Sequence, residues 1–413
     1  MTGRKIFSSL AGVPESCRAA LRRRWIACIG AILLPLIFLA GTVWIVPGLE
    51  HSGWVYTEDI WNNFQLAHFL DIGIYQTIYG QGTLATTPGI VVLLAPLAAI
   101  THATGMSVVF LYYVPHPTAW LLLAPYEGLI SAPALFAVDS VAARLGASTF
   151  RRLLICACEV LVLYNVLWWG HPEDAIAVAF LLYSCLAASD KRWARAGWLL
   201  GGAVAFQPFV LLALPVVLFP AGVRWLPGLA ARVVAPTAAL LFLPLTLDWS
   251  VTISDLLHQP ASPGGGRPTP WLGVAPVLYR PQHAMPIVSD GLVGLIALAL
   301  GLLVGLWFAR AERELSTLVA VVAVTLTFWC DFDVAIAPYY IWPPIAAALA
   351  SVGVARWPRF VIVILLVSAV DWVSNFQRHS EWLWWPIIGG LAVLVAASWP
   401  LSARQHLEEM EAS

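Results

Sequence analysis

Apolar residues in this chain run in uninterrupted blocks, broken by short polar turns that hold most of the arginines. Neither the alternation of a half-buried strand nor the narrow stripe of a soluble amphipathic helix is present. A membrane-crossing helix needs roughly 20 apolar residues. On that basis the pattern predicts crossings at Trp25–Val46, Thr118–Ala143, Leu153–Trp169, Ala175–Ala188, Val233–Leu247, Gly291–Phe308, Leu315–Cys330, Ile341–Ala355, Phe360–Val373 and Trp384–Leu401. The block 196–219 is about one span long, yet Arg195 and Arg224 flank it and Gln207-Pro208 interrupts it. It is expected to be a re-entrant hairpin, since broken backbone at membrane depth is tolerated against protein or water. The fold class expected is therefore an all-α polytopic membrane protein of about 10–12 transmembrane helices.

Composition agrees with the pattern. Of 413 residues, 60% are hydrophobic and only 11% charged, which excludes a single soluble core. The net charge of −1 gives no reason to expect a nucleic-acid partner. Basic residues cluster between the blocks at Arg22–Arg24, Arg151–Arg152, Lys191–Arg195, Arg310–Arg313 and Arg356–Arg359. By the positive-inside rule these turns are cytoplasmic, which leaves only Arg267, Arg280 and Arg378 outside. Segments 1–24 and 403–413 then become a cytoplasmic N-terminal stretch and tail around a membrane domain at 25–402. The first block is too long for a signal-peptide core and is expected to stay as an anchor in the plasma (inner) membrane. Six scattered cysteines contain no CxxC pair and suggest neither a disulfide framework nor a metal knuckle.

Two long segments fall on the outer side. The first, 48–117, holds an apolar run at Gly89–Ile100 that is too short to cross and is expected to lie shallow or re-entrant. The second, 248–290, contains the low-complexity stretch Pro260–Pro270, a plausible lid. Most acids map to outer helix ends, among them Glu58, Asp59, Glu173, Asp174, Asp331 and Asp333. An acidic outer face with a few arginines suggests a binding or reaction cavity.

Several constellations there could carry chemistry. In Tyr56-Thr57-Glu58-Asp59, a carboxylate at the membrane–water boundary could act as a general base, its basicity raised by an apolar wall. Thr57 and Asp59 could equally cap the next helix. Trp168-Trp169-Gly170-His171-Pro172-Glu173-Asp174 joins two crossings, either as a polar site or as a solvated turn with belt tryptophans. No matching His/Cys pair supports zinc there. Gln207 must hydrogen-bond something, a freed carbonyl or a ligand. Arg267, Trp271, Tyr279, Arg280 and His283 lie in one outer loop, where guanidinium forks and imidazole suit phosphate oxygens. Tyr339 and Tyr340 precede the kinking Trp342-Pro343-Pro344, as cavity residues or as interface aromatics.

The order of these features resembles the GT-C superfamily of membrane glycosyltransferases. An outer acid after the first helix is followed by Tyr75…Tyr79-Gly80, Thr87-Pro88, a Gly-His turn, a Gly-rich segment ending in Gln207-Pro208, and a late Tyr-Tyr pair. More narrowly it is similar to glycosyltransferase family 87, which includes actinobacterial mannosyl- and arabinofuranosyltransferases. The resemblance implies a GT-C-like bundle with a long first extracytoplasmic loop and a polyprenyl-phosphate sugar donor. It implies a glycolipid or polysaccharide acceptor and an active site facing away from the cytoplasm. It makes Asp59 the catalytic base, with Glu58 as rival, and places Tyr339 and Tyr340 in the cavity. His171, Glu173, Gln207, Arg267, Tyr279, Arg280 and His283 become candidate donor or substrate contacts. This chain departs from the family at Gln207, where Lys is common, and in its Gly-His-Pro-Glu turn.

The expected reaction is direct displacement at the anomeric carbon, with the acceptor proton taken by Asp59. The leaving phosphate would be stabilised by Arg280, Arg267 or His283. A lipid monophosphate leaving group has less charge to neutralise than a nucleotide diphosphate, so no metal is expected. Two rival classes remain at this point: a lipid-linked-sugar flippase or transporter, and a silent scaffold subunit. The position of the acids at helix ends rather than at the midplane argues against transport.

Overall fold

The structure, a computed structural model, describes residues 23–44, 58–79, 87–106, 119–257, 260–261, 267–280, 286–289, 291–309, 314–375 and 381–400. A helix occupies each stretch that the hydropathy pattern marks as a crossing. These are α1 (Trp25–Trp44), α4 (Trp120–Leu145), α5 (Thr149–Trp168), α6 (Pro172–Ser189) and α9 (Leu226–Leu247) in the first part of the chain. In the second part they are α11 (Gly291–Phe308), α12 (Leu315–Phe332), α13 (Trp342–Val352), α14 (Trp357–Ser374) and α15 (Trp384–Ser398). Five helices, those containing 120–145, 172–189, 223–247, 315–332 and 357–374, are long and apolar enough to cross a membrane. The chain is a multi-pass, all-α membrane protein. Large apolar side chains such as Ile32, Leu36, Phe242, Leu303 and Leu365 remain exposed, as a lipid-facing surface requires.

The segment 48–117 contains α2 (Glu58–Asp71) and α3 (Gly89–Thr104), which pack on each other. Ile60, Phe64 and Ala67, at helical spacing, form the buried face of α2. Its far end is tied to α3 where His102 Nδ1 lies 2.7 Å from Asp71 Oδ2. The apolar run expected at Gly89–Ile100 is thus a helix carried on to Thr104.

Gln207 breaks the block 196–219. Helix α7 (Trp193–Phe206) ends at Gln207, whose extended backbone starts a 3₁₀ segment at Pro208–Leu212 and then the short α8 (Leu214–Leu218). Val217 and Pro220 beyond the break share a small cavity with Ala188 and Trp193 before it, so the segment returns to the level where it began. Gly201 lets α7 meet α9 backbone to backbone, because a Cβ there would run into the carbonyls of Arg232 and Val233.

The segment 248–290 is less irregular than its composition suggests. Helix α10 (Trp249–Leu257) is followed by β1 (Pro260–Ala261), β2 (Arg267–Pro268), β3 (Val277–Tyr279) and β4 (Ile287–Ser289). Strands β1, β4 and β3 form a small antiparallel sheet, while β2 pairs with β5 (Ala335–Ile336) beyond α12. Among the described residues, these short pairings depart from the expected all-helical fold. They anchor both ends of the expected lid; its centre, 262–266, lies outside the described residues.

Among the described residues, the turns carrying Arg24, Arg151–Arg152, Lys191–Arg195 and Arg356–Arg359 converge on one end of the bundle. Asp139, buried near the end of α4, accepts from Arg152 at 2.6 Å and Arg24 at 3.2 Å. Arg151 donates to the carbonyls of Gly353 and Ala355, and Arg359 to those of Ala397 and Trp399. Two further acids correct the expectation that carboxylates sit at helix ends. Glu127 and Glu159 are fully buried within α4 and α5.

Candidate active site

The opposite end of the bundle gathers the polar residues that interrupt the apolar pattern. Gly170, at φ 81°, reverses the chain after α5, a backbone conformation that glycine adopts without a Cβ penalty. Pro172 then opens α6, which places His171 at the helix N-cap and Glu173 and Asp174 in its first turn. Carboxylates are favoured there by the unpaired amides and the helix dipole. The turn is braced from α14: Trp169 Nε1 donates to Asn375 at 3.3 Å, and Asn165 Nδ2 to Asp371 at 2.7 Å.

His171 is the hub. Its Nδ1 lies 2.9 Å from Glu173 Oε1 and its Nε2 lies 3.1 Å from Asp59 Oδ2. Burial opposes charge on the imidazole, but the Glu173 and Asp59 carboxylates outweigh it and hold its pKa well above the usual 6.5. The same pair acts on Asp59 in reverse. Burial alone would raise its pKa, yet the His171 hydrogen bond and charge bring it below the usual 3.8. This corrects the expectation of an apolar wall that makes Asp59 more basic: Asp59 is an ionised carboxylate paired with an imidazolium. Its side chain is half exposed whereas those of His171 and Glu173 are buried. Asp59 therefore forms the open end of the relay Glu173–His171–Asp59.

An aromatic ladder closes the site. Tyr339, in the 3₁₀ turn Pro338–Ile341, stacks on His171 with ring centroids 3.7 Å apart. Burial and the neighbouring carboxylates keep its hydroxyl protonated. Tyr340 meets Tyr339 edge-on at 4.7 Å and stacks on Trp329 at 4.2 Å, and Trp329 stacks on Phe209 at 4.6 Å. Phe209 follows the break, and from the break Gln207 Nε2 donates to Asp174 Oδ1 at 2.5 Å. The first-loop acid, the α5–α6 turn, the α7 break and the Tyr-Tyr turn thus form one continuous cluster. Glu127 lies close enough to interact with His171 and Glu173, and neither of its oxygens is hydrogen-bonded among the described residues.

His171, Glu173 and Asp174 offer ligand atoms within 4.8 Å of one another, so a divalent cation could be held there. In this arrangement, however, both imidazole nitrogens are committed to carboxylates and leave no lone pair for a metal. A cation would have to displace one of those bonds.

The remaining candidates are placed differently. Arg267 is buried, and its strand runs beside Ala335–Ile336, just before Tyr339; burial lowers its pKa. Thr269 and Trp271 donate to the carbonyls of Asp333 and Asp331, and Asp333 accepts from the Ala335 amide, so this loop is fastened to the turn that carries Tyr339. Tyr279 and Arg280 are exposed at the end of β3. No hydrogen bond, ion pair or ring contact joins them to the His171 cluster among the described residues. His283, Thr57 and the Glu58 side chain lie outside the described residues.

No family model matches the chain, and no curated protein matches it. The structure adds Trp329 and Glu127 to the cluster, neither of which belongs to a motif picked out in the sequence. Glu127 left a readable signal, a carboxylate within an apolar block.

Proposed function

We propose that this chain is an integral-membrane glycosyltransferase. It moves a sugar, mannose or arabinofuranose, from a polyprenyl-phosphate donor to a hydroxyl of an envelope glycolipid or polysaccharide. The reading takes a GT-C-like bundle of about 10–12 crossings, with the His171 end facing out and the arginine end facing the cytoplasm. The observation that carries it is the relay: a half-exposed, ionised Asp59 oriented by His171, which Glu173 holds from behind. This geometry suits a carboxylate that accepts a proton from an incoming hydroxyl.

The step is a single displacement. The acceptor oxygen bonds to the anomeric carbon as the bond from that carbon to the phosphate oxygen breaks. The hydroxyl proton passes to Asp59, and polyprenyl phosphate leaves with the bonding electrons. Oδ2 of Asp59 faces His171, which leaves Oδ1 for the acceptor. Arg267 is the best-placed cation for the leaving phosphate, since its strand borders the Tyr339 turn; Arg280 and His283 are further candidates. Tyr339 and Tyr340 supply an aromatic wall, and no metal is required.

A second reading, carriage of a lipid-linked sugar, is favoured by Glu127 and Glu159 buried within helices, as in transport proteins. One experiment separates the two. The purified protein in lipid receives radiolabelled polyprenyl-phosphate mannose or arabinofuranose, an envelope glycolipid extract, and EDTA in a parallel arm. Label transfer with polyprenyl-phosphate release, lost in Asp59→Asn and unchanged by EDTA, is the expected result. Movement of intact donor between leaflets with no bond cleavage would overturn the enzyme reading.

A further inference from the structure

The arginine end of the bundle holds a second polar cavity that the transfer reaction does not use. It occupies about 250 Å³ and is lined by Arg24, Arg144, Arg192, Arg195, Ser140 and Tyr183, with Asp190 as its acid. It lies at the far end of α6 from His171. Eighteen residues of helix separate the two sites, about 27 Å at 1.5 Å per residue.

The charges in this cavity are unbalanced. Arg24 is matched by the buried Asp139, which it shares with Arg152, and Arg144 pairs with Asp190 at 2.8 Å. Arg192 and Arg195 make no ion pair and no side-chain hydrogen bond among the described residues. The backbone places them there at some cost. Lys191, the one residue other than glycine with positive φ among the described residues, turns the chain at φ 59° between α6 and α7. That turn brings Arg192 and Arg195 to the mouth of the cavity beside two guanidiniums that are already paired. Gathering like charges in a concave site is unfavourable unless an anion offsets them.

The surroundings indicate where such an anion comes from. Trp198, three residues beyond Arg195 on α7, is half exposed, and Phe150 and Trp357 are exposed at the same end of the bundle. Exposed aromatic rings at helix ends mark the headgroup level of a bilayer. A basic pocket between helices at that level suits a phosphate-bearing headgroup.

We propose that this cavity binds a phosphate group, supplied by the headgroup of an anionic membrane lipid, with Arg192 and Arg195 as its principal contacts and Tyr183 and Ser140 as hydroxyl partners. The site is independent of the transfer reaction, and its occupancy holds the α6–α7 turn in place.

The test is native mass spectrometry of the delipidated full-length protein, titrated with dioleoyl phosphatidylglycerol, dioleoyl phosphatidylcholine or inorganic phosphate. Arg192→Gln/Arg195→Gln is run beside wild type. Arg224→Gln serves as a control, because Arg224 lies over the Trp225 ring at the same end but outside the cavity. Expected is saturable binding of phosphatidylglycerol in preference to phosphatidylcholine. The double variant should weaken it roughly 10- to 30-fold, and Arg224→Gln should not. If inorganic phosphate displaces phosphatidylglycerol at equal concentration, free phosphate is the source and the lipid assignment is overturned. Equal binding of both lipids, an unaffected double variant, or an equal loss in Arg224→Gln would overturn the proposal.

Discussion

His171 Nε2 lies 3.1 Å from Asp59 Oδ2, which joins two residues 112 positions apart in the chain. The contact makes one charged pair of a loop acid and a turn histidine, and it orients Asp59 from the side that faces the protein. What Asp59 can do follows from that pairing.

Asp59→Asn keeps the shape of the side chain and removes its ability to take a proton. Sugar transfer should fall by about 10²- to 10⁴-fold, far more than the modest fall in the unfolding midpoint expected from losing the charge pair with His171. Glu58→Gln should retain transfer within a few-fold. A reversed outcome in label-transfer assays would move the base to Glu58.

The pH profile should carry the signature of the pair. Asp59 sits below its usual 3.8, so wild-type transfer should hold as pH falls past that value. In His171→Gln the hydrogen bond and charge that depress Asp59 are gone while its burial remains, and the acid limb should move above 3.8. Stability follows the same linkage. The Asp59 contribution is present above 3.8 and is lost as pH falls through its lowered folded value. The His171 contribution is complete below 6.5 and is lost as pH rises through its raised folded value. Thermal unfolding of wild type and His171→Gln across pH checks both limbs.

Gln207→Leu should destabilise the α7 break. The substitution removes the donor 2.5 Å from Asp174 Oδ1 and leaves a buried carboxylate oxygen without its partner. Such a loss costs about 1–3 kcal/mol, and Gln207→Glu should cost at least as much, since two acids would meet. A double-mutant cycle with Asp174→Asn, read by denaturation in detergent, isolates the pair.

At the arginine end, Asp139→Ala should be among the most damaging single changes. It strips the partner from Arg152, whose side chain is only 14% exposed. An uncompensated buried charge costs about 3–5 kcal/mol. Arg24→Ala should cost less, because Arg24 is more exposed and Asp139 keeps Arg152. Unfolding midpoints of the two variants test the order.

Much of the candidate site was legible because polar residues in apolar blocks are costly and therefore conspicuous. His171, Glu173 and Gln207 stood out in this way, Asp59 as an acid at the membrane–water boundary and Tyr339 and Tyr340 through the prolines that follow them, and the structure brings all six into one cluster. The basicity of Asp59 was misjudged. Sequence shows an acid beside apolar residues, but it does not show an imidazole arriving from another helix pair. Arg267, Tyr279 and Arg280 looked equivalent in the sequence. Strand pairing with Ala335–Ile336 separates them, since it buries Arg267 beside the Tyr339 turn and leaves the other two in solvent.

The linear pattern by itself determined the membrane character, the positions of the helices and the break at Gln207-Pro208. Those properties depend on hydropathy over one span and on local backbone chemistry, both of which are written within about 20 consecutive residues. The tertiary structure decided which polar groups meet: His171 with Asp59, Gln207 with Asp174, Asp139 with two arginines, and the arginine cavity at the end of α6. Each of those pairings joins residues from different helices. Their charge and orientation arise from burial and partners that only packing supplies.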